Sequence, residues 1–239
     1  MSGHNKWSGI KHRKGAQDAK RANAFTKISR LISLSAKEGG GNSESNMKLK
    51  FAVEQARRVN MPKDNIERAI KKGTGELKDG AEIEEIIYEA FGPGGVAMLI
   101  KTATDNKNRT LGEIKNIITK SGGKMASAGG VMHSFRLVGN INISANSENL
   151  DEMEMKAIEA GAEDTIYWDN VLTIYTKAVE LKAVKENLEK VGISVENAEL
   201  VYDALQKVEL DENTKLDYEK LFEQLDENDD VQEIYDNIT

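Results

Sequence analysis

The residues that most often carry out chemistry are few and scattered in this chain. It contains no cysteine and only three histidines, His4, His12 and His133. Without cysteine there is no thiolate nucleophile, no disulfide and no cysteine-bound zinc. Two of the histidines lie in the first twelve residues, and their spacing does not indicate a metal site shared with carboxylates. The sequence therefore predicts no catalytic residue, no metal and no other cofactor.

Glycine-rich and acidic segments offer the remaining alternatives for chemistry. Gly73-Thr74-Gly75 lacks the Gly-Lys-Ser/Thr ending of a phosphate-binding loop. A tight hairpin explains Gly92-Pro93-Gly94-Gly95 better than an anion cradle does. Four acids near the C-terminus suggest a nuclease metal site: Asp226, Glu227, Asp229 and Asp230. Consecutive acids are more often solvated surface residues than metal ligands. We therefore interpret the protein as a non-enzyme.

Basic residues are concentrated in the first third of the chain. Residues 1–78 contain 18 Lys and Arg and 7 Asp and Glu, which gives a net charge of +11. The whole chain carries −7, so the remaining residues carry −18. Such asymmetry is typical of nucleic-acid or membrane contact by the basic part. No broad Trp, Phe and Leu face is present for insertion among acyl chains. Nucleic acid is therefore the predicted partner, and simple solvation of the basic helices is the alternative.

Phosphate contacts are expected from an N-terminal arm and the helices that follow it, since neutralised phosphates dominate nucleic-acid affinity. The predicted binding residues are Lys6, Lys11, His12, Arg13, Lys14, Lys20, Arg21, Lys27, Arg30, Arg57 and Arg58. Two more, Lys107 and Arg109, lie in the segment 104–110, which opens a helix where free N–H groups favour an anion. The alternative for this segment is a capped helix start with Asp105 or Asn106 as the cap.

Three helices are predicted to support the basic surface. Apolar spacings of three and four residues predict a helix from about Gln17 to a stop at Gly39. A polar stripe on another side of it consists of Lys20, Asn23, Lys27 and Arg30. A second helix is predicted over 44–60, and a third from Pro62, at its first helical position, to Gly73. The three helices are expected to form a small bundle.

Strand and helix patterns alternate after residue 78, which predicts an α/β protein. The first predicted elements are strands 83–91 and 96–104, a helix 108–121, a mobile glycine-rich connector 121–130 and a strand 131–138. Residues 139–202 follow the order βαββαβ of ferredoxin-like domains, beginning with a strand at 140–145. A helix at 216–225 and a strand at 231–238 come last, and this late strand needs a partner in the incomplete set before residue 139.

The predicted architecture is therefore an N-terminal helical bundle followed by two ferredoxin-like α/β domains, one inserted in the other. The predicted domains are 1–78, a discontinuous domain of 79–138 plus 203–239, and an inserted domain at 139–202. No apolar run approaches the roughly 18 residues that span a bilayer, and the first fifteen residues lack an apolar signal core. We expect a cytoplasmic protein with no membrane partner and no small-molecule substrate, and the sequence indicates no oligomeric state.

Four segments resemble the sequence signatures of YebC-type transcriptional regulators. They are GHNKWSGIKHRK at 3–14 followed by QDAKR at 17–21, NMPKDNIERAI at 60–70, GPGGVA at 92–97 and TDNKNRT at 104–110. The resemblance implies a crescent-like protein of three domains with a helical N-terminal domain. It also implies a cytoplasmic DNA-binding regulator of transcription without enzymatic activity.

The same resemblance leaves a second function open. The YebC-type family includes a mitochondrial translational activator of cytochrome c oxidase subunit I, and some bacterial members act at the ribosome. Binding of rRNA or the ribosome, with an effect on translation, is therefore the alternative to DNA binding. The chain begins at the first motif with no Arg-rich presequence, which favours a bacterial form.

Overall fold

A computed structural model describes residues 17–77 and 82–239, with side chains from residue 23 onward. These residues form seven α-helices and two four-stranded antiparallel sheets, which confirms the mixed α/β class. They divide into two compact units: residues up to 133 together with 208–238, and residues 134–207. The predicted division into three domains stays a prediction. Among the described residues, no helix has both the length and the apolar content that crossing a bilayer requires.

Three helices come first in the chain. They are α1 (Gln17–Gly39), α2 (Met47–Arg58) and α3 (Lys63–Gly73). Both shorter helices pack on α1 around the fully buried Ile32, Leu49 and Ala56. The predicted bundle is confirmed, but Pro62 precedes α3 instead of opening it, because its carbonyl accepts the N–H groups of Asn65 and Ile66.

The remaining elements form the α/β part of the molecule. In chain order they are β1 (Glu84–Phe91), β2 (Ala97–Thr104), α4 (Lys107–Lys120), β3 (Lys124–Met125), β4 (Phe135–Ser144), α5 (Leu150–Ala160), β5 (Asp164–Trp168), β6 (Val171–Lys177), α6 (Leu181–Lys190), β7 (Val195–Ala204), α7 (Glu212–Asp226) and β8 (Val231–Asp236). The hairpin between β1 and β2 is confirmed: the N–H of Gly92 donates to the carbonyl of Val96 at 2.8 Å, and Gly94 and Gly95 have φ of 70° and 77°.

The first sheet has the strand order β3-β1-β2-β8, so the late strand pairs with β2 as predicted. Helices α4 and α7 pack on one face of this sheet, around Met98, Ile118 and Tyr218. On the other face α1 packs against β2 and β8, and Leu99 and Ala103 are fully buried, so β2 is covered on both faces. As in a ferredoxin-like domain, two helices cover one face of a four-stranded antiparallel sheet. Along the chain, however, the elements occur in the order ββαβ and, later, αβ.

The second sheet, within residues 134–207, has the order β5-β6-β4-β7. This is the βαββαβ arrangement predicted for it, with Ile141 opposite both Ile174 and Ala198. The separate strands predicted at 131–138 and 140–145 were wrong, because a single strand, β4, runs through Gly139. A Cβ on Gly139 would lie 2.2 Å from Thr176 Oγ1, so glycine permits close packing here and does not end the strand.

The glycine-rich connector after α4 is held by a buried carboxylate. Glu89 on β1 accepts the backbone N–H groups of Gly129, Val131 and Met132 at 2.6, 2.6 and 2.8 Å. Burial alone raises the pKa of Glu89, but these three hydrogen bonds outweigh it and place the pKa below its ordinary value. Glu89 therefore anchors the end of the connector, whose mobility stays a prediction.

Candidate nucleic-acid interface

The predicted binding residues differ in how much of their surroundings the structure describes. Five of them, Lys6, Lys11, His12, Arg13 and Lys14, lie outside the described residues. Lys20 and Arg21 lie on α1, without described side chains. The other six have described surroundings, and only two of these six have exposed cations without a carboxylate partner.

The polar stripe of α1 contacts an acidic segment, residues 226–230, at the end of α7. Lys27 Nζ lies 3.1 Å from Asp226 Oδ1, and Arg30 forms an ion pair with Asp230. Asn23 Nδ2 donates to the carbonyl of Glu227 at 2.6 Å. The side chains of Lys27 and Arg30 are only 16% and 15% exposed. Both cations are already paired with protein carboxylates, so phosphate binding by Lys27 and Arg30 stays a prediction that would first require these ion pairs to break.

Asp230 connects three elements of this unit. Its carboxylate is 2% exposed and accepts both Arg109 Nη2, at 2.8 and 3.0 Å, and the hydroxyls of Thr110 and Thr104. Arg30 approaches the same carboxylate from α1. Burial alone raises the pKa of Asp230, but the hydrogen bonds from Arg109 and Thr110 and the nearby Arg30 charge lower it below its ordinary value. Asp230 is therefore an ionised group that joins α1, α4 and β8.

The segment 104–110 begins α4 with a cap and not with an open anion site. Asn106 is the N-cap, and its Oδ1 accepts the N–H of Arg109 at 3.1 Å. Lys107 Nζ lies 2.6 Å from Glu84, and Arg109 lies 3.1 Å from Asp105 in addition to its bonds with Asp230. The capped start is thus confirmed. Nucleic-acid binding by Lys107 and Arg109 likewise stays a prediction, since carboxylates are already paired with both cations.

The outward sides of α2 and α3 carry a different set of cations. We call this set the outer basic face: Lys50, Arg57, Arg58, Arg68 and Lys71. All five are exposed, and in the part of the chain that the structure describes none forms an ion pair. The predicted binding residues include Arg57 and Arg58 but not Lys50, Arg68 and Lys71. The available signal was their position opposite the buried Leu49, Ala56 and Ile66.

The acidic residues considered for metal chemistry do not gather into a ligand set. Asp226 and Asp230 pair with Lys27 and with the two arginines, while Asp229 is exposed. Within 17–77 and 82–239, no three His, Asp or Glu side chains lie close enough to hold a metal ion. The outer basic face therefore offers a cluster of exposed cations that form no ion pair within the described residues.

Comparison with known proteins identifies the family. Residues 5–76 match the TACO1/YebC protein N-terminal domain, and residues 83–238 match the TACO1/YebC second and third domain. A "Probable transcriptional regulatory protein" of Persephonella marina is 48% identical over 239 residues, covering 99% of this chain and 95% of that one. Its namesake from Fervidobacterium nodosum is 49% identical over 238 residues, covering 99% and 93%.

A solved structure agrees with these sequence matches. The crystal structure of a conserved hypothetical protein from Aquifex aeolicus superposes with a TM-score of 0.87 at 44% identity, covering 98% of this chain and 96% of that one. The names of the sequence relatives support a regulatory role. The chain belongs to the TACO1/YebC family.

Proposed function

We propose that the protein is a DNA-binding regulator of transcription and that its basic N-terminal third, residues 1–78, binds the phosphate backbone. The observation that carries the proposal is the outer basic face. Its five cations are exposed and form no ion pair with any described residue, whereas acids neutralise Lys27, Arg30, Lys107 and Arg109. Sequence-independent contact with the phosphate backbone requires exposed cations that no acid neutralises.

The distribution of charge restricts how a nucleic acid approaches. Residues 1–78 carry +11 and the rest of the chain −18, so the phosphate backbone is attracted to the helices and repelled by the remainder. The binding surface therefore consists of the arm and the outer basic face. Lys11, Arg13 and Lys14 of the arm add three cations to the charge of this basic third.

We further propose that the protein binds nucleic acid in the cytoplasm without cleaving it. Two of the four C-terminal acids that suggested a nuclease are used in ion pairs, which supports a structural role for that segment. Incubation with labelled DNA and RNA, with and without magnesium or manganese, is expected to leave both intact. Cleavage that disappears in an Asp229→Ala variant would overturn this part of the proposal.

A filter-binding titration with duplex DNA tests the binding itself. Replacing Lys11, Arg13 and Lys14 by Glu is expected to weaken binding strongly and to flatten its salt dependence, by about 0.9 in log K per log salt for each phosphate that is no longer neutralised. An unchanged affinity and slope would contradict binding by the arm. Protection of one defined promoter segment from nuclease supports action on DNA, whereas co-sedimentation with ribosomes without promoter protection would assign the protein to translation instead.

A further inference from the structure

A shallow pocket of about 310 Å³ lies beside the outer basic face. Its lining consists of Ser43, Glu44, Lys50, Val53, Glu54 and Arg57. Its volume is at the small end of the range for ligand pockets, about 300–1,000 Å³. Four of its six side chains are charged, two of each sign, so the pocket suits a small ligand with both anionic groups and hydrogen-bond donors.

The wall of the pocket that comes from the loop before α2 is held in place. Asn46, the N-cap of α2, is 6% exposed, and its Nδ2 donates to the carbonyls of Ser35 and Gly40 at 2.7 and 2.8 Å. Its Oδ1 accepts the N–H of Leu49 at 3.1 Å. The N–H of Glu44 in turn donates to Asn42 at 2.9 Å. A wall fixed before the ligand arrives lowers the entropy that binding costs.

The charges inside the pocket are not paired with one another. Glu54 lies four residues after Lys50 and three before Arg57, spacings at which helical side chains commonly form ion pairs. In the described part of the chain neither carboxylate of the pocket, Glu44 or Glu54, forms an ion pair, and neither do the two cations. Both signs of charge therefore remain available to a ligand.

The spacing of these groups matches a nucleotide within a strand. Lys50 and Arg57 are seven residues apart on one side of α2, a separation of about 10 Å along the axis. Glu54 lies between them in the sequence, and the mostly buried Val53 also lines the pocket. A base that rests on Val53 would present its edge to Glu54 while its flanking phosphates lie near the two cations.

We propose that this pocket binds one unpaired nucleobase that carries an exocyclic amino group, within a single-stranded segment. Glu54 accepts a hydrogen bond from the amino group, as carboxylates do from the N4 amino group of cytosine. The base must be unpaired, because a base enters a pocket only after it leaves the stack. This inference rests on the proposed function, since it assumes that a nucleic acid lies on the outer basic face.

Cytosine and uracil provide a matched pair of ligands, since an amino group in one replaces a carbonyl in the other. Eight-nucleotide oligomers of C and of U, in both DNA and RNA forms, are titrated against the full chain by fluorescence anisotropy, beside a random-sequence duplex. The wild type is expected to bind the C oligomer about tenfold more tightly, which corresponds to one specific base contact.

The Glu54→Gln variant separates base recognition from overall charge. Removing a negative charge strengthens binding to every oligomer, but glutamine also donates to the uracil carbonyl. The ratio of the C and U affinities is therefore expected to fall to within threefold of unity. The control, Glu67→Gln, changes the charge equally on α3 outside the pocket and is expected to keep the ratio.

Each outcome decides a separate point. Equal binding of the C and U oligomers by the wild type, or an unchanged ratio in Glu54→Gln, would overturn the pocket inference while duplex binding stands. A protein that binds neither the duplex nor any oligomer would overturn the proposed function itself. A preference for C confined to the RNA or to the DNA series supports the pocket and identifies which nucleic acid supplies the base.

Discussion

The polar stripe of α1 and the outer basic face of α2 and α3 look alike in sequence but have different surroundings. Each presents lysine and arginine at helical spacing on a side away from the apolar residues. In the stripe, Lys27 and Arg30 meet the acids of residues 226–230 and are mostly buried. On the outer face, Arg57 and Arg58 are exposed and have no carboxylate partner in the described chain. A cationic helix side can therefore join two parts of a protein as readily as it binds a phosphate.

The largest expected effect tests the structural role of the stripe. Asp230→Ala leaves Arg30 and Arg109 without their shared partner, and breaking a buried ion pair costs about 3–5 kcal/mol. We expect a fall in the free energy of unfolding of about this size in urea denaturation. The control, Asp229→Ala, removes an exposed neighbouring acid and is expected to change it by at most about 0.5 kcal/mol. Equal losses in the two variants would contradict the role of Asp230.

The outer basic face is tested by charge reversal. Arg57→Glu with Arg58→Glu should reduce the salt slope of duplex binding by about 1.8, the value for two neutralised phosphates, without loss of stability. A matched variant, Lys182→Glu with Lys190→Glu, makes the same change in charge on α6, outside the basic third. If the two variants weaken filter binding equally, long-range charge and not contact with this face explains the affinity.

The dependence of stability on pH also tests the structural role of Asp230, which pairs with Arg30 of the polar stripe. The folded protein lowers the pKa of Asp230, so its contribution is complete above the unfolded value of about 3.9 and is lost as the pH falls towards the lower folded value. The wild type should therefore lose more stability than Asp230→Ala on acidification from about pH 5 through this range, as measured by urea denaturation at each pH. Parallel losses in the two proteins would show that other carboxylates account for the acid sensitivity.

The smallest expected effect concerns Lys27. Because its ammonium group contacts Asp226 in the folded protein, Lys27→Ala should leave the salt slope of nucleic-acid binding unchanged. Its cost in stability should be about 1 kcal/mol or less, as for other ion pairs near the surface. A slope reduced by about 0.9 would mean that Lys27 leaves Asp226 for a phosphate, and would remove the distinction between the two regions.

Local patterns account for the elements that the sequence predicted well. Helix α1 ends at Gly39 as predicted, and α4 spans Lys107–Lys120, within one residue at each end of the helix predicted at 108–121. The two-residue strand β3 is too short for any periodicity, and it was missed. The predicted division into strands 131–138 and 140–145 was wrong, because β4 continues through Gly139, where neighbouring atoms leave no room for a side chain.

The candidate site was less predictable because its character depends on distant contacts. Exposure of Arg57 and Arg58 follows from their helical positions, which are local. The neutralisation of Lys27 depends on an acid 199 residues away, and that of Arg109 on one 121 residues away. No spacing within one helix reveals such partners, so the sequence assigned both kinds of cation to the same function.

The pairing of β8 with β2 determines the order in which the molecule can be assembled during synthesis. Strands β4 to β7 pair only with one another, so the sheet within residues 134–207 can close while the ribosome is still translating the remainder. The first sheet lacks its edge strand until residues 231–236 emerge, and until then β2 presents an open row of backbone hydrogen-bonding groups. Asp230 emerges just before that strand, so Arg30 and Arg109 remain without their shared carboxylate until residue 230 has been translated.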